Sequence, residues 1–348
     1  MPGKEVELNV AILGATGRVG QELLRVLEER SFPIKQLRLL ASARSKDTKM
    51  SFAGKSYPVE EVTAASFEGI DVVLASAGSE IAEVWAPIAV QHGAVVIDNS
   101  NAFRMEPSVP LVVPEVNGHV LKDHKGIIAN PNCSTSQLVP VLKMLHEAAG
   151  LKRVIISTYQ SVSGAGKEAM DELEQQTQDL FKGQPPKPAA FPRQIAFNLL
   201  PHIDKFVEDG YTKEEMKMVK ETRKILELPN LRVTATCVRV PVMIGHSESV
   251  TVDLDKKLSV AEARAVLARS PIIEVWDKPN DAHYPTPIDA AGKDPVYVGR
   301  IRPDTSSDTG LNLWIVADNL RIGAALNAVR IAEYLLEHKL LRSAVASR

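Results

Sequence analysis

The sequence predicts an α/β chain of two domains: first a doubly wound parallel sheet, then an α+β unit. Three observations predict it. Apolar strand patterns alternate with amphipathic helical patterns early in the chain. A glycine run, Gly14-Ala15-Thr16-Gly17-Arg18-Val19-Gly20, separates the first strand from the first helix. Beyond the helix that follows Cys133, the strands alternate apolar with polar residues, as strands with one open face do.

Leu8–Leu13 reads as the first strand and Gln21–Glu28 as an amphipathic helix. A glycine turn at that junction is a Rossmann-type phosphate site. It lets the backbone approach a pyrophosphate, and the helix N-terminus faces the charge. The spacing is G-x-x-G-x-x-G rather than G-x-G-x-x-G, and a tight turn with close helix packing is the alternative reading. Gln36–Ala41 is the second strand. It continues into Ser42-Ala43-Arg44-Ser45-Lys46, with no carboxylate for ribose hydroxyls and a guanidinium for a 2′-phosphate. That pattern favours NADP; a solvated basic loop is the bland reading.

Asp71–Ala77 and Ala94–Ser100 are further buried strands. Between them, Glu80–His92 is expected to be a helix presenting Ile81, Val84, Trp85 and Ile88 on one side. Arg104 follows a strand end and either reaches an anion or lies on the surface. Gly126–Ala129 reads as a strand end, and Gln137–His146 has helical spacing. Cys133 therefore sits where strand gives way to helix, with Asn132, Ser134 and Thr135 as helix openers. Helix-start N–H groups and the dipole favour a thiolate, and the same N–H groups suit an oxyanion. A packed structural thiol explains the residue equally well.

Arg153–Ser163 is an alternating strand in which Gln160 shares a face with Thr158 and Val162. A polar helix covers Lys167–Phe181, and a second runs from Thr212 to about Leu228. Thr212-x-x-Glu215 resembles a capping box, which gives Glu215 a structural role. Arg232–Val242, Ser247–Leu254, Val296–Ile301 and Gly310–Val316 complete a mixed, mostly antiparallel sheet with helices on one side. Cys237, inside an apolar strand, reads as structural. His246 lies in a connection where a ring can enter a cleft, and its nominal pKa suits proton transfer. Arg239, among apolar neighbours, suits a carboxylate. A helix from Arg321 to about Leu340 ends the chain, with Ile322, Leu326, Val329, Ala332 and Leu336 on one face.

At 348 residues the chain suits two domains, and 45% hydrophobic with 24% charged residues fits a globular protein. A net charge of -2 gives no electrostatic reason to invoke nucleic acid. Met1-Pro2-Gly3-Lys4-Glu5-Val6-Glu7 has no apolar signal core, and no apolar run approaches membrane-spanning length. Two cysteines make no disulfide framework, and no Cys/His spacing suits a metal. A reducing cytoplasm is the expected location.

The chain resembles the aspartate-β-semialdehyde dehydrogenase family. The matching stretches are the glycine run, Asn130-Pro131-Asn132-Cys133-Ser134-Thr135, Tyr159–Gly166, Arg239-Val240-Pro241-Val242 with Gly245-His246-Ser247, and Asp318-Asn319-Leu320-Arg321. The resemblance implies a glyceraldehyde-3-phosphate dehydrogenase-like fold. Residues 1–132 plus 320–348 would form the NADP-binding domain and 133–319 the catalytic and dimerisation domain. It implies NADPH-dependent conversion of β-aspartyl phosphate to aspartate semialdehyde through a cysteine thioester, feeding lysine, threonine and methionine biosynthesis. In that resemblance Cys133 is the nucleophile, His246 the acid/base and Gln160 the residue orienting the intermediate. Arg239 binds the substrate carboxylate, Glu214 its amino end, and Lys217 with Arg104 the phosphate. Cofactor contacts would come from Gly14, Thr16, Gly17, Arg18, Val19, Ala43, Arg44, Ser163, Gly164 and Asn319, without a metal. The partners implied are substrate and phosphate, within a homodimer or a dimer of dimers, with no nucleic acid or membrane. Two rivals share part of these features: N-acetyl-glutamyl-phosphate reductase, with the same chemistry on a longer acylated substrate, and a non-catalytic NADP sensor.

Overall fold

The computed structural model describes residues 6–341; most of the N-terminal stretch read for a signal core lies outside them. The chain divides into two compact units, Met1–Pro131 with Ala324–Arg348, and Asn132–Gly323.

In the first unit the strands are β1 (Leu8–Leu13), β2 (Ile34–Ala41), β3 (Lys49–Phe52), β4 (Lys55–Glu61), β5 (Val72–Ala75), β6 (Val95–Asp98) and β7 (Ile127–Ala129). Among the described residues they form one sheet ordered β3-β4-β2-β1-β5-β6-β7. It is parallel except for the β3–β4 hairpin. The hairpin is absent from the sequence reading because Lys49–Phe52 and Lys55–Glu61 bury only Phe52 and Val59, with β3 at the sheet edge. Strand order reverses on either side of β1, so its carboxyl end, where Gly14 stands, is the crevice of an open α/β sheet.

Helix α1 (Arg18–Glu29) follows the glycine turn, and α2 (Ser79–Gln91) connects β5 to β6. The predicted face of α2 is corrected. Ala82, Ala86 and Ala89 are buried, whereas Ile81 and Val84 are exposed. Trp85 and Ile88 pack only at the edge of the cluster that holds Phe67, Val73 and Val96. Small residues let the helix lie close to the sheet, and residue size misled the reading of its face.

The second unit contains α4 (Cys133–Ala149), β8 (Leu151–Gln160), α5 (Lys167–Phe181), α6 (Lys213–Ile225), β9 (Arg232–Arg239), β10 (His246–Leu254), α7 (Val260–Leu267), β11 (Ile273–Val275), α8 (Pro287–Ala290), β12 (Val296–Pro303) and β13 (Gly310–Ala317). The short α3 (Pro114–Asn117) precedes them, and α9 (Leu326–Glu337) returns to pack on α1, β5 and β6 of the first unit. A π-turn, Arg321–Ala325, replaces the first turn expected for the last helix. The strands order as β11-β12-β13-β10-β8-β9. β8–β9 and β11–β12 are parallel and the rest antiparallel, the mixed sheet that the alternation suggested. β10 follows β9 in sequence, yet β8 lies between them. On β10 the even-numbered residues from His246 to Leu254 are all buried, while Ser249, Thr251 and Asp253 are only partly covered. α4 and α6 pack against the sheet, α4 on β8, β10 and β13, α6 on β9.

Candidate active site

Strand register assembles the site in the second unit. Gln160 and Arg239 are direct partners on the parallel pair β8–β9. On the other side of β8, Tyr159 pairs with Ser247, so His246 begins β10 beside the end of β8. Three strand ends thus carry Arg239, Gln160 and His246 in one row. One row further in, Cys237, Thr158 and Glu248 stand side by side on the same three strands.

Cys133 is the first residue of α4. Its Sγ lies 3.2 Å from His246 Nε2. Asn132 caps the helix: its Oδ1 accepts from the Ser134 and Thr135 backbone N–H groups at 3.0 and 3.3 Å. Asn132's own N–H goes to Glu221 Oε2 at 2.7 Å. Three amides at this helix start are thus committed to fixing the turn that holds the sulfur. Gly323 lies against that turn; a Cβ there would come within 2.7 Å of the Cys133 Cβ.

His246 is fully buried. Its Nδ1 accepts the Ser161 backbone N–H at 3.0 Å, so a neutral ring carries its proton on Nε2, facing the sulfur. Burial, then the Arg239 guanidinium, push the ring down to about 3, well below the near-neutral titration of a solvated histidine. Ligand-free, the ring is a neutral donor.

Glu214, on α6, is buried and takes hydrogen bonds from Gln160 Nε2 at 3.0 Å and Asn132 Nδ2 at 2.7 Å. Thr158 Oγ1 donates to Gln160 Oε1 at 3.0 Å, which aims the Gln160 amide at Glu214. Burial alone would raise Glu214, but Lys217, Gln160 and Asn132 outweigh it and hold the carboxyl below its usual range. Arg239 gives one Nη1–H to the Ser161 carbonyl at 2.7 Å; its other donors have no protein partner among the described residues. Burial lowers the guanidinium from its usual range, opposed by Glu214 and Cys133. A buried anion beside a buried, incompletely used guanidinium suits a small zwitterion with an ammonium and a carboxylate.

Lys217 joins this cluster through Glu214 Oε2 at 3.1 Å and Asp204 Oδ2 at 2.8 Å. Burial lowers it, but the two carboxylates raise it further, so it stays charged. Arg104 belongs to the first unit, where it hydrogen-bonds the Asn130 and Asn99 carbonyls at 2.9 Å each. It is a buried arginine tied to backbone, not the surface residue of the bland reading.

Ser163 and Asn319 bond each other, and Asn319 Oδ1 also accepts from Ser161 Oγ and the Gly245 N–H. Both side chains therefore brace the loops on either side of His246. Gly164 keeps that space open: a Cβ would stand 3.3 Å from the His246 ring and 3.1 Å from Arg239 Nη1.

In the first unit the glycine turn fits a dinucleotide phosphate. Gly14 has φ +87°, and a Cβ would meet the Ser76 backbone at 2.9 Å. A Cβ on Gly20 would fall 2.4 Å from the Gly14 carbonyl oxygen, so close packing and the open turn are both served. Val19 lies in the first turn of α1, half-buried. Thr16 Oγ1 reaches Ser45 Oγ at 3.4 Å, which joins the turn to the Ala43–Ser45 segment. Arg44 is exposed there, outside every ion pair among the described residues, and Arg18 Nε is buried without a hydrogen-bond partner.

Sequence reasoning missed Glu221, Asp204, Gly323 and the Ser161 N–H. None carries a local signal, because each acts on a group distant in sequence. Asn132 and Thr158 did leave one, as a helix opener and a same-face neighbour of Gln160.

Among the described residues no group of His, Cys, Asp and Glu side chains could hold a metal, and no helix is long and apolar enough to cross a membrane. Comparison with known proteins finds two family matches. "Semialdehyde dehydrogenase, NAD binding domain" covers residues 9–124, and "Semialdehyde dehydrogenase, dimerisation domain" covers 142–322. Aspartate-semialdehyde dehydrogenase of Aquifex aeolicus is 55% identical over 95% of this chain and 99% of its own. The structure of aspartate semialdehyde dehydrogenase II from Vibrio cholerae, complexed with ASA, aligns at TM-score 0.93 with 48% identity, over 95% of this chain and 99% of that one. The Candida albicans enzyme, solved with NADP, aligns at TM-score 0.74 with 26% identity, over 97% and 100%.

Proposed function

The chain belongs to the aspartate-semialdehyde dehydrogenase family, and we propose that it reduces β-aspartyl phosphate to aspartate semialdehyde with NADPH, through a thioester on Cys133. The observation that carries this reading is the 3.2 Å approach of Cys133 Sγ to His246 Nε2 beside the opposite charges of Glu214 and Arg239.

Arg239 takes the substrate carboxylate, and Glu214, steadied by Gln160 and Asn132, takes the ammonium. Lys217 and Arg104 take the phosphate. His246 Nε2–H holds the sulfur as its anion. Cys133 attacks the acyl carbon, the C–O bond to phosphate breaks, and the departing phosphate takes up one proton from solvent. A nicotinamide cofactor, when bound, would supply the hydride that the carbonyl carbon accepts. A thioester lacks the oxygen resonance that makes a carboxylate a poor acceptor, so the covalent step makes the reduction easier. The oxygen that gains charge then receives the His246 hydrogen bond, and the C–S bond breaks to free the aldehyde. A substrate carboxylate on Arg239 offsets the charge that depresses the ring, so His246 gains proton affinity in the loaded site, where acid/base work is needed.

The glycine turn holds the pyrophosphate with Gly14, Thr16, Gly17, Arg18 and Val19. Ala43 and Arg44 face the 2′-phosphate, which favours NADP over NAD. Ser163, Gly164 and Asn319 shape the nicotinamide end. Residues 1–132 with 320–348 are the cofactor domain and 133–319 the catalytic and dimerisation domain. The match to a dimerisation domain supports a homodimer, alone or paired into a dimer of dimers, and we place the enzyme in the cytoplasm. The relatives do not favour an N-acetyl-glutamyl-phosphate reductase or a sensor. A spectrophotometric assay with aspartate semialdehyde, NADP and phosphate, each omitted in turn, tests the reading; NADPH formation independent of phosphate, or absent with all three, overturns it.

A further inference from the structure

Glu248 is the one charged residue type in a row otherwise made for packing: on β10 it follows His246 on the helix-facing side and precedes Val250, Val252 and Leu254. It is fully buried, and neither carboxyl oxygen accepts a well-formed hydrogen bond from a described residue. Above it lies α4, on which Gln137 stands one turn from Cys133. Gln137 Nε2 donates to the His246 carbonyl at 3.4 Å, while Gln137 Oε1 is buried with no donor. One element carries the sulfur, the other the imidazole, and the Gln137 amide and the Glu248 carboxyl sit between them.

We propose that Glu248 is a positioning residue: its carboxylic O–H donates to the Gln137 amide and, through Gln137, locks α4 to β10 at the spacing that sets the Cys133–His246 contact. This rests on the reading that those two residues carry the reaction. A buried, unpaired carboxylate is expensive, whereas a neutral acid supplies the donor this cluster lacks. Burial holds Glu248 well above the usual carboxylate range, opposed by the Gln137 amide. The directly opposed side chains are Thr158 on β8 and Ile315 on β13, neither of which offers a charge. The nucleophile and the imidazole thus share a brace that touches neither reacting atom.

Glu248→Gln keeps an N–H donor for Gln137 Oε1; Glu248→Leu removes it at similar volume. The wild-type infrared spectrum is expected to contain a buried carboxylic-acid carbonyl band that Glu248→Gln lacks. Glu248→Gln is expected to keep kcat and the rate of Cys133 alkylation by iodoacetamide. Glu248→Leu should lower both by about tenfold, the effect of one lost internal hydrogen bond, with little change in KM. Absence of the band, equal loss in both variants, or wild-type behaviour of Glu248→Leu each overturns the proposal. The band and the alkylation rate are read without turnover, so an inactive wild-type enzyme would reject the proposed reaction and leave this inference to be judged separately. Should Glu248→Leu not fold, the band and the Glu248→Gln rates still decide.

Discussion

The Ser161 backbone N–H donates to His246 Nδ1 at 3.0 Å. A backbone amide can only donate, so Nδ1 keeps its lone pair and the neutral ring's proton sits on Nε2. Protonating the second nitrogen breaks this bond in a site already disfavouring positive charge. Nitrogen-15 NMR of ligand-free protein should find Nδ1 unprotonated and Nε2 protonated at pH 7. The sign for stability follows. The folded ring, at about 3, lies below the ordinary 6.5, so the unfolded chain binds more protons between those values. His246 therefore stabilises the fold above 6.5, and that contribution falls as pH drops toward 3. Urea unfolding at pH 7.5 and 5 should give a steeper loss for wild type than for His246→Asn; equal slopes would contradict the assignment.

Cys133→Ser keeps the shape of the helix start and removes the sulfur. Turnover should fall by ~10⁴-fold or more, as losing a nucleophile typically does, with cofactor affinity unchanged by fluorescence titration. Substantial residual activity would remove Cys133 from its role.

Gly323→Ala places a methyl within 2.7 Å of the Cys133 Cβ and 2.9 Å of its Cα. Either the 321–325 turn or the cap of α4 must move. The expected cost is about 1–3 kcal/mol in unfolding free energy, with kcat down on the order of 10- to 100-fold from misplacement of the nucleophile. Thermal melts and steady-state rates on one preparation check both.

Arg44→Asp replaces the exposed cation beside the glycine turn with a charge that repels a 2′-phosphate. The ratio of kcat/KM for NADPH to that for NADH should fall on the order of 100-fold. An unchanged ratio would mean that another residue reads the phosphate.

Much of the fold was legible because its signals are local. Thr212 and Glu215 form the capping box that their spacing announced, with Glu215 Oε2 accepting from the Thr212 N–H and the Thr212 hydroxyl from the Glu215 N–H. α5 runs over the predicted Lys167–Phe181. The face of α2 failed because burial there follows closeness of approach, which small residues allow, rather than side-chain size. The β3–β4 hairpin failed because Met50 and Phe52 alternate over only four residues, and only Phe52 and Val59 of the pair are buried, too little apolar surface to mark a strand.

The same division separates the chemistry from its tuning. A cysteine at a helix mouth, a glycine turn behind a first strand, and an arginine among apolar strand residues are written in contiguous residues, since each answers a requirement of its own backbone. That Cys133 faces His246, that Gln160 stands beside Arg239, and that His246 is neutral while Glu214 stays ionised come from register across β8, β9 and β10 and from helices packed over them. Charge in a buried site depends on what is brought near it from elsewhere in the chain. Asn132, Glu214 and Gln160 meet from three elements, and no stretch of sequence contains that meeting.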